Sequence, residues 1–313
     1  MSNKIISWIV PCFNEEDVIE TTINRILEVS SDISGYNSEI IIVDDGSRDK
    51  TREILRSLIE KDKRINLIGL SRNFGHQIAL QAGLDNCSGS AAIIIDADLQ
   101  DPPEVALEML KKWEDGFDVV YARRKERQSE NIFKKITAGI FYRLLNLLSE
   151  VRIPLDTGDF RLIDKKIILE LKEMPEKGRF MRGLISWLGF KQTEILYTRN
   201  KRFAGKSKYP LRKMLSFALE GITSFSTKPL KIASFFGFIF SVASLISIFY
   251  VLFIRIFTSQ WVAGWAFLSL AILLSSGIQM LLVGMLGDYI GRIYLETKRR
   301  PLYIVDENTC TLI

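Results

Sequence analysis

Cysteine is scarce: Cys12, Cys87 and Cys310 are the only three in 313 residues, and their spacing fits neither a metal site nor a disulfide framework. A reducing compartment is the default reading. Histidine is scarcer still, and His76, standing alone, reads as a packing or hydrogen-bonding residue rather than a catalyst. Two glycine signatures are missing as well. Without Gly-x-Gly-x-x-Gly after the first strand-like run, a dinucleotide site is excluded; without Gly-x-x-x-x-Gly-Lys, bound phosphates would need a cation in place of a glycine cradle. No secretory signal precedes Ile5, because Met1 to Lys4 lead straight into a strand-like run, so the first domain is expected to face the cytoplasm. The charge is not even. The net charge is +5, yet cations crowd into 123–135, 199–213, 228–231 and 292–300 while the acids gather in the first half. That asymmetry suits lipid or phosphate partners better than nucleic acid.

What is present centres on Ala91 to Pro103, where a small, β-branched run stops at Asp96 and Asp98 before the helix-entry signal Pro102-Pro103. Strand-like runs at Ile5–Pro11, Ile40–Val43, Ile65–Leu70 and Asp118–Tyr121 alternate with helical stretches at about 16–30, 49–61, 77–86 and 103–114. Such alternation predicts βαβ units and a mostly parallel sheet. The strands' C-terminal ends would then gather Pro11, Asn14, Glu15, Asp44, Asp45, Arg72, Asp96, Asp98 and Gln100 into one crevice. Carboxylates one residue apart can share a hard divalent cation whose other positions go to water and substrate phosphates. Taken singly, Asn14 reads equally as a helix cap, Asp44 or Asp45 as a turn residue, and Arg72 as a surface cation.

The second half carries different signals. Apolar residues recur at helical spacing over 132–148 and again over 211–226, where Arg212 and Lys213 flank a narrow face suited to a membrane surface. Between them, 199–208 packs five cations around Gly205, a basic loop able to close over a diphosphate. Ile232–Ile254 offers 23 uncharged residues and Trp265–Leu286 another 22, each long enough for a transmembrane helix. Cations on both flanks place both termini on the cytoplasmic side, with a cytoplasmic tail over 288–313.

Three stretches, Val10-Pro11-Cys12-Phe13-Asn14-Glu15-Glu16, Val43-Asp44-Asp45-Gly46-Ser47 and Asp96-Ala97-Asp98-Leu99-Gln100-Asp101, resemble the signatures of inverting family 2 glycosyltransferases with the GT-A fold. The stretches from Ser71 to His76, Asp156 to Arg161 and Arg202 to Tyr209 extend the resemblance to the polyprenyl-phosphate glycosyltransferases, over nearly the whole chain. The resemblance implies a GT-A catalytic domain over 1–210, an interfacial helix over 211–226 and a membrane hairpin over 232–287. It implies nucleotide contacts from Pro11, Asn14, Glu15, Asp44, Asp45 and Arg72, and Mg²⁺ or Mn²⁺ on Asp96, Asp98 and Gln100. Asp159 takes the family's catalytic position beside Arg202, and Arg123, Lys206, Lys208, Arg212 and Lys213 would meet the acceptor phosphate. The implied partners are UDP-glucose and undecaprenyl or a similar polyprenyl phosphate, at a bacterial inner membrane, with a homo-oligomer left open. GDP-mannose or UDP-aminoarabinose are alternative donors. A processive polysaccharide synthase or a non-catalytic membrane adaptor are the alternative classes, the first opposed by the absence of a Gln-x-x-Arg-Trp stretch.

A phosphate monoester has its second pKa near about 6, so an acceptor of this kind is largely ionised near neutral pH and needs little proton abstraction. Asp159 is therefore expected to act as a base or only as an orienting group.

Overall fold

The computed structural model describes residues 4–125, 157–199, 228–257 and 264–311. The first half alternates as the apolar periodicity dictates: β1 (Ile5–Cys12), α1 (Ile19–Ser31), β2 (Asn37–Asp44), α2 (Thr51–Lys61), β3 (Ile65–Gly69), α3 (His76–Asp85), β4 (Ala91–Ile94), α4 (Val105–Glu114) and β5 (Val119–Arg124). There follow β6 (Thr157–Asp164), α5 (Lys165–Glu173), α6 (Met181–Trp187) and β7 (Gln192–Tyr197). Two long helices, α7 (Lys228–Phe257) and α8 (Trp265–Thr297), complete the described elements.

Seven strands form one sheet in the order β3-β2-β1-β4-β6-β5-β7, with β6 antiparallel to both its neighbours and every other pairing parallel. Side chains alternate across the pleat, so consecutive isoleucines serve opposite cores. Ile6, Trp8, Ile40 and Ile42 bury against α1, α2 and α4 on one face, while Ile9, Ile41, Val43 and Ile94 bury against α3, α5 and α6 on the other. Each fully buried side chain of this size contributes about 1.5–3 kcal/mol. The chain leaves β1 towards β2 and β3, then crosses to β4 on β1's other side, and such a reversal opens a crevice at the C-terminal strand ends.

The expected mostly parallel α/β sheet is therefore present, with elements the sequence reading left out, the strands β6 and β7 among them. Thr157–Asp164 is a strand, and its alternation is disguised because Asp159 and Arg161, both nearly fully buried, take core-facing positions. Buried charges of this kind persist only when paired or hydrogen-bonded: Asp159 pairs with Arg182, and Arg161 donates to the Gly158 and Asp159 carbonyls.

The tail also departs from expectation. Residues 301–311 do not trail free. They run antiparallel to the edge strand β3, through a Leu70–Val305 bridge and bonds from Ser71 N to Ile304 O (2.9 Å), Asp306 N to Gly69 O (2.8 Å) and Thr311 N to Leu67 O (2.9 Å). A Cβ on Gly69 would fall inside the Thr309 side chain, so only glycine admits this approach.

Helices α7 and α8 run 30 and 33 residues and expose large apolar side chains, Phe235, Phe249, Ile256 and Leu281 among them. Judged on the described residues alone, no helix is long and apolar enough to cross a membrane; the complete sequence of α7, read at every position, holds the 23 uncharged residues from Ile232 to Ile254. The stretches 132–148 and 211–226 lie outside the described residues.

Candidate active site

The end of β1 is laced to the end of β2. Asn14 takes a positive φ of 53°, its side-chain oxygen accepts from Arg48 N (2.8 Å), and its own N–H donates to Ser47 Oγ (2.9 Å). Glu15 N donates to Thr51 Oγ1 (3.0 Å), while Pro11 is held in the strand opposite Val43. Asp44 is fully buried; it accepts from Ser47 N (3.1 Å) and pairs with Arg52. Asp45 reaches across to the end of β3 and accepts from Phe74 N (2.7 Å) and Gly75 N (2.9 Å). Burial pushes its pKa up, and those two N–H groups offset part of the shift. Between these loops Gly46, at φ +77°, lies so close to the main chain of Arg72 that a Cβ would stand 2.6 Å from the Arg72 carbonyl carbon. Arg72 itself rests its guanidinium 4.0 Å over the Phe74 ring. The nucleotide set predicted from sequence is thus brought together, though much of it shapes the corner through backbone bonds.

The second cluster stands at the end of β4. Strand register sets it: Ile94 faces Arg161, so two residues further on Asp96 comes opposite Asp159. His76, first residue of α3, lies between them, with Nε2 3.2 Å from Asp159 Oδ2 and 3.5 Å from Asp96 Oδ1. Burial lowers its pKa, but Asp96 and then Asp159 outweigh that and hold it up at about 9, so the ring is an imidazolium at neutral pH. Asp96 is raised to about 6 by desolvation, against the pull of His76. Its Oδ1 is shielded from solvent and has no hydrogen-bond partner. Asp98 Oδ1 accepts from Gln100 N (3.1 Å) across Leu99, at φ 56°. Gln100 therefore enters this turn through its backbone.

Asp159 is saturated. Arg182 Nε donates to Oδ1 (2.8 Å), and Gln77 Nε2 (3.1 Å), His76 Nε2 (3.2 Å) and Arg182 Nη2 (3.3 Å) converge on Oδ2. Burial alone would raise its pKa; Arg182 and His76 override that and hold it well below the ordinary carboxylate range. A carboxylate so placed is a poor proton acceptor. It orients the groups around it, and Gln77 extends that frame by accepting from Met181 N (3.0 Å) at the start of α6.

Gln77, Arg182 and Arg52 were not anticipated. Gln77 follows the Ser71–His76 motif directly and could have been read as its continuation; Arg182, in Phe180-Met181-Arg182-Gly183, carries no pattern that marks it. Asp101 was quoted but given no role. It is buried, accepts from Tyr197 OH, and takes Arg199 Nε at 3.2 Å, anchoring the start of the basic stretch. Arg123 pairs with Glu194 on β7 at 3.1 Å, which engages the cation assigned to the acceptor phosphate. Arg202, Lys206, Lys208, Arg212 and Lys213 lie outside the described residues.

Among the described residues no three carboxylate, histidine or cysteine groups converge as a ready-made metal cage. The two aspartates still fit a hard cation of the Mg²⁺ type, which takes one or two carboxylates and completes its shell with substrate phosphates and water. Asp96 Oδ1 is shielded and accepts no hydrogen bond, with only the His76 ring nitrogen near it at 3.5 Å, and such an atom has capacity for a further partner. A shallow depression of about 550 Å³, lined in part by Tyr36, Asn37, Lys63 and Arg64, lies at the opposite, N-terminal strand ends and shares nothing with this chemistry.

The Glycosyl transferase family 2 profile matches residues 7–171, from β1 into α5. The chain belongs to glycosyltransferase family 2. The match takes in both acidic clusters and Asp159, and the family's GT-A-like sheet is the one described above. Similar chains include the uncharacterized glycosyltransferase YkcC of Bacillus subtilis, 51% identical over 96% of this chain and 93% of its own length. The prophage bactoprenol glucosyl transferase homolog of Escherichia coli is 41% identical over 96% and 98%. The bactoprenol glucosyl transferase of Shigella phage SfV is 40% identical over 96% and 97%. Family 2 membership makes this chain a glycosyltransferase, and the crevice its candidate centre.

Proposed function

We propose that this glycosyltransferase moves a hexose, glucose from UDP-glucose, onto a polyprenyl phosphate with inversion at the anomeric carbon. The observation that carries the reading is the shielded Asp96 oxygen, which accepts no hydrogen bond and meets only the His76 ring at 3.5 Å, beside Asp98 at the switch point of the sheet, in a chain alignable almost end to end with bactoprenol glucosyl transferases. Asn14, Asp44, Asp45 and Arg72 border the donor's nucleotide, and Asp96 and Asp98 would hold Mg²⁺ or Mn²⁺. Bound there, the cation would supply Lewis-acid neutralisation of the departing nucleoside diphosphate. The acceptor phosphate, already ionised, attacks from the face opposite the leaving group, so no proton need be removed. Asp159 accordingly serves by holding His76, Gln77 and Arg182 in place, which agrees with its depressed pKa. Arg202, Lys206 and Lys208 are assigned to the diphosphate, and Arg212 and Lys213 to the acceptor phosphate, by the charge of their side chains.

We further propose that α7 and α8 form the membrane hairpin, with the catalytic domain and both termini cytoplasmic. Support comes from the uncharged runs and from side chains such as Phe238 at 67% and Leu281 at 74% exposure, which need an apolar surrounding.

The test offers purified protein a panel of labelled sugar nucleotides with undecaprenyl phosphate and identifies the lipid product. Glucosyl lipid formed with cation and abolished by chelator is expected. A product from GDP-mannose alone, or full turnover in chelator, would overturn the donor or the cation assignment respectively.

A further inference from the structure

The tail and the nucleotide corner share one side chain. Arg52, on α2, donates through Nε to the buried Asp44 and through Nη2 to Leu70 O (3.0 Å), and its Nη1 lies 3.6 Å from Asp306 Oδ2 in the tail. Asp44 in turn accepts from Ser47 N, which fixes the loop bearing Gly46. The same tail begins where α8 ends. Lys177 grips that end, its N–H donating to Glu296 Oε1 (2.7 Å) and its Nζ to Leu295 O (2.9 Å), and Tyr303 OH donates to Asp85 at 3.0 Å. From α8 to Asp44 the path is continuous: helix end, strap along β3, Asp306, Arg52, carboxylate.

We infer that residues 301–311 are a positioning strap that couples α8 to the donor corner, with Asp306 as the residue that orients Arg52 against Asp44. The direction of the strap matters. Ile304 meets Ser71 at the C-terminal end of β3 and Thr311 meets Leu67 further back, so the chain arriving from α8 enters at the crevice side of the sheet. A catalytic domain hung in this way presents its crevice to the side from which α8 comes. The inference rests on reading the Asp44 corner as the donor site.

Asp306→Asn isolates the coupling, since the amide oxygen can still accept from Asn308 N, as Asp306 does at 3.3 Å, but no longer carries charge to Arg52. Calorimetric titration of the full-length protein in detergent with UDP is expected to show affinity about three- to fivefold weaker, the range of a partly exposed ion pair. The same variant should keep kcat at saturating donor, and hydrogen exchange in segment 44–52 should quicken without ligand while β1 is unchanged. Wild-type affinity and wild-type exchange in folded Asp306→Asn protein would overturn the inference. If the wild-type chain binds no UDP, the donor reading falls and the exchange result alone decides the coupling.

Discussion

The two acidic pairs flanking β1 look alike in sequence and differ in condition. Asp44-Asp45 closes β2 with its oxygens met by Ser47 N, Phe74 N, Gly75 N and Arg52. Asp96 and Asp98 follow β4, and there Asp96 keeps a shielded oxygen without a hydrogen bond and a pKa lifted to about 6. The first pair is met by hydrogen-bond donors within the chain, whereas Asp96 Oδ1 has only the longer ion pair to His76 at 3.5 Å. Acidic residues at a strand's C-terminal end thus serve two ends, loop architecture and cation capture, and only the hydrogen-bond inventory separates them.

Substitution can break this contrast. Asp98→Asn should lower kcat about a thousandfold, in the range seen when a group stabilising transition-state charge is removed, with thermal stability close to wild type. Asp44→Asn should do the reverse in kind: unfolding free energy falls by about 2–4 kcal/mol in chemical denaturation, because a buried charge pair loses one partner. Arg182→Ala should cost about 1–3 kcal/mol and slow turnover, since Asp159 loses its closest donor. The smallest effect expected is on pH. His76 has a folded pKa of about 9, above its unfolded value near 6.5. Its contribution is therefore complete below about pH 6.5 and lost as pH rises through 9, so the melting temperature in chelator should fall between those values in wild type and stay flatter in His76→Gln. An equal slope in both would remove the imidazolium from the account.

Much of this was legible beforehand. Isoleucine-rich runs such as Ile40–Val43 and Ile93–Ile95, buried on both faces, announce central parallel strands, and each stops at a polar residue because the crevice begins there. The site was readable where short motifs sit beside those strand ends. It was not readable where pairing depends on partners far along the chain: Arg182 reaches Asp159 from 23 residues away, Asp306 reaches Arg52 through the returning tail, and β6 hides its alternation by burying Asp159 and Arg161. Arg123, a cation that suits phosphate by type, also stands in an exposed ion pair with Glu194 that its position in the sequence did not announce.

The central claim is that the turn bearing Asp96 and Asp98 takes a cation delivered with the diphosphate, whereas the carboxylates of Asp44 and Asp45 are committed to bonds that shape their loop. Mn²⁺ binding followed by electron paramagnetic resonance, with and without UDP, tests it most directly, in wild type, Asp96→Asn and Asp45→Asn. Mn²⁺ should bind weakly alone and tightly with UDP in wild type, lose that gain in Asp96→Asn even at saturating UDP, and recover it at higher UDP concentration in Asp45→Asn, because Asp45 borders the nucleotide and not the cation. Undiminished UDP-dependent Mn²⁺ binding in Asp96→Asn would contradict the account.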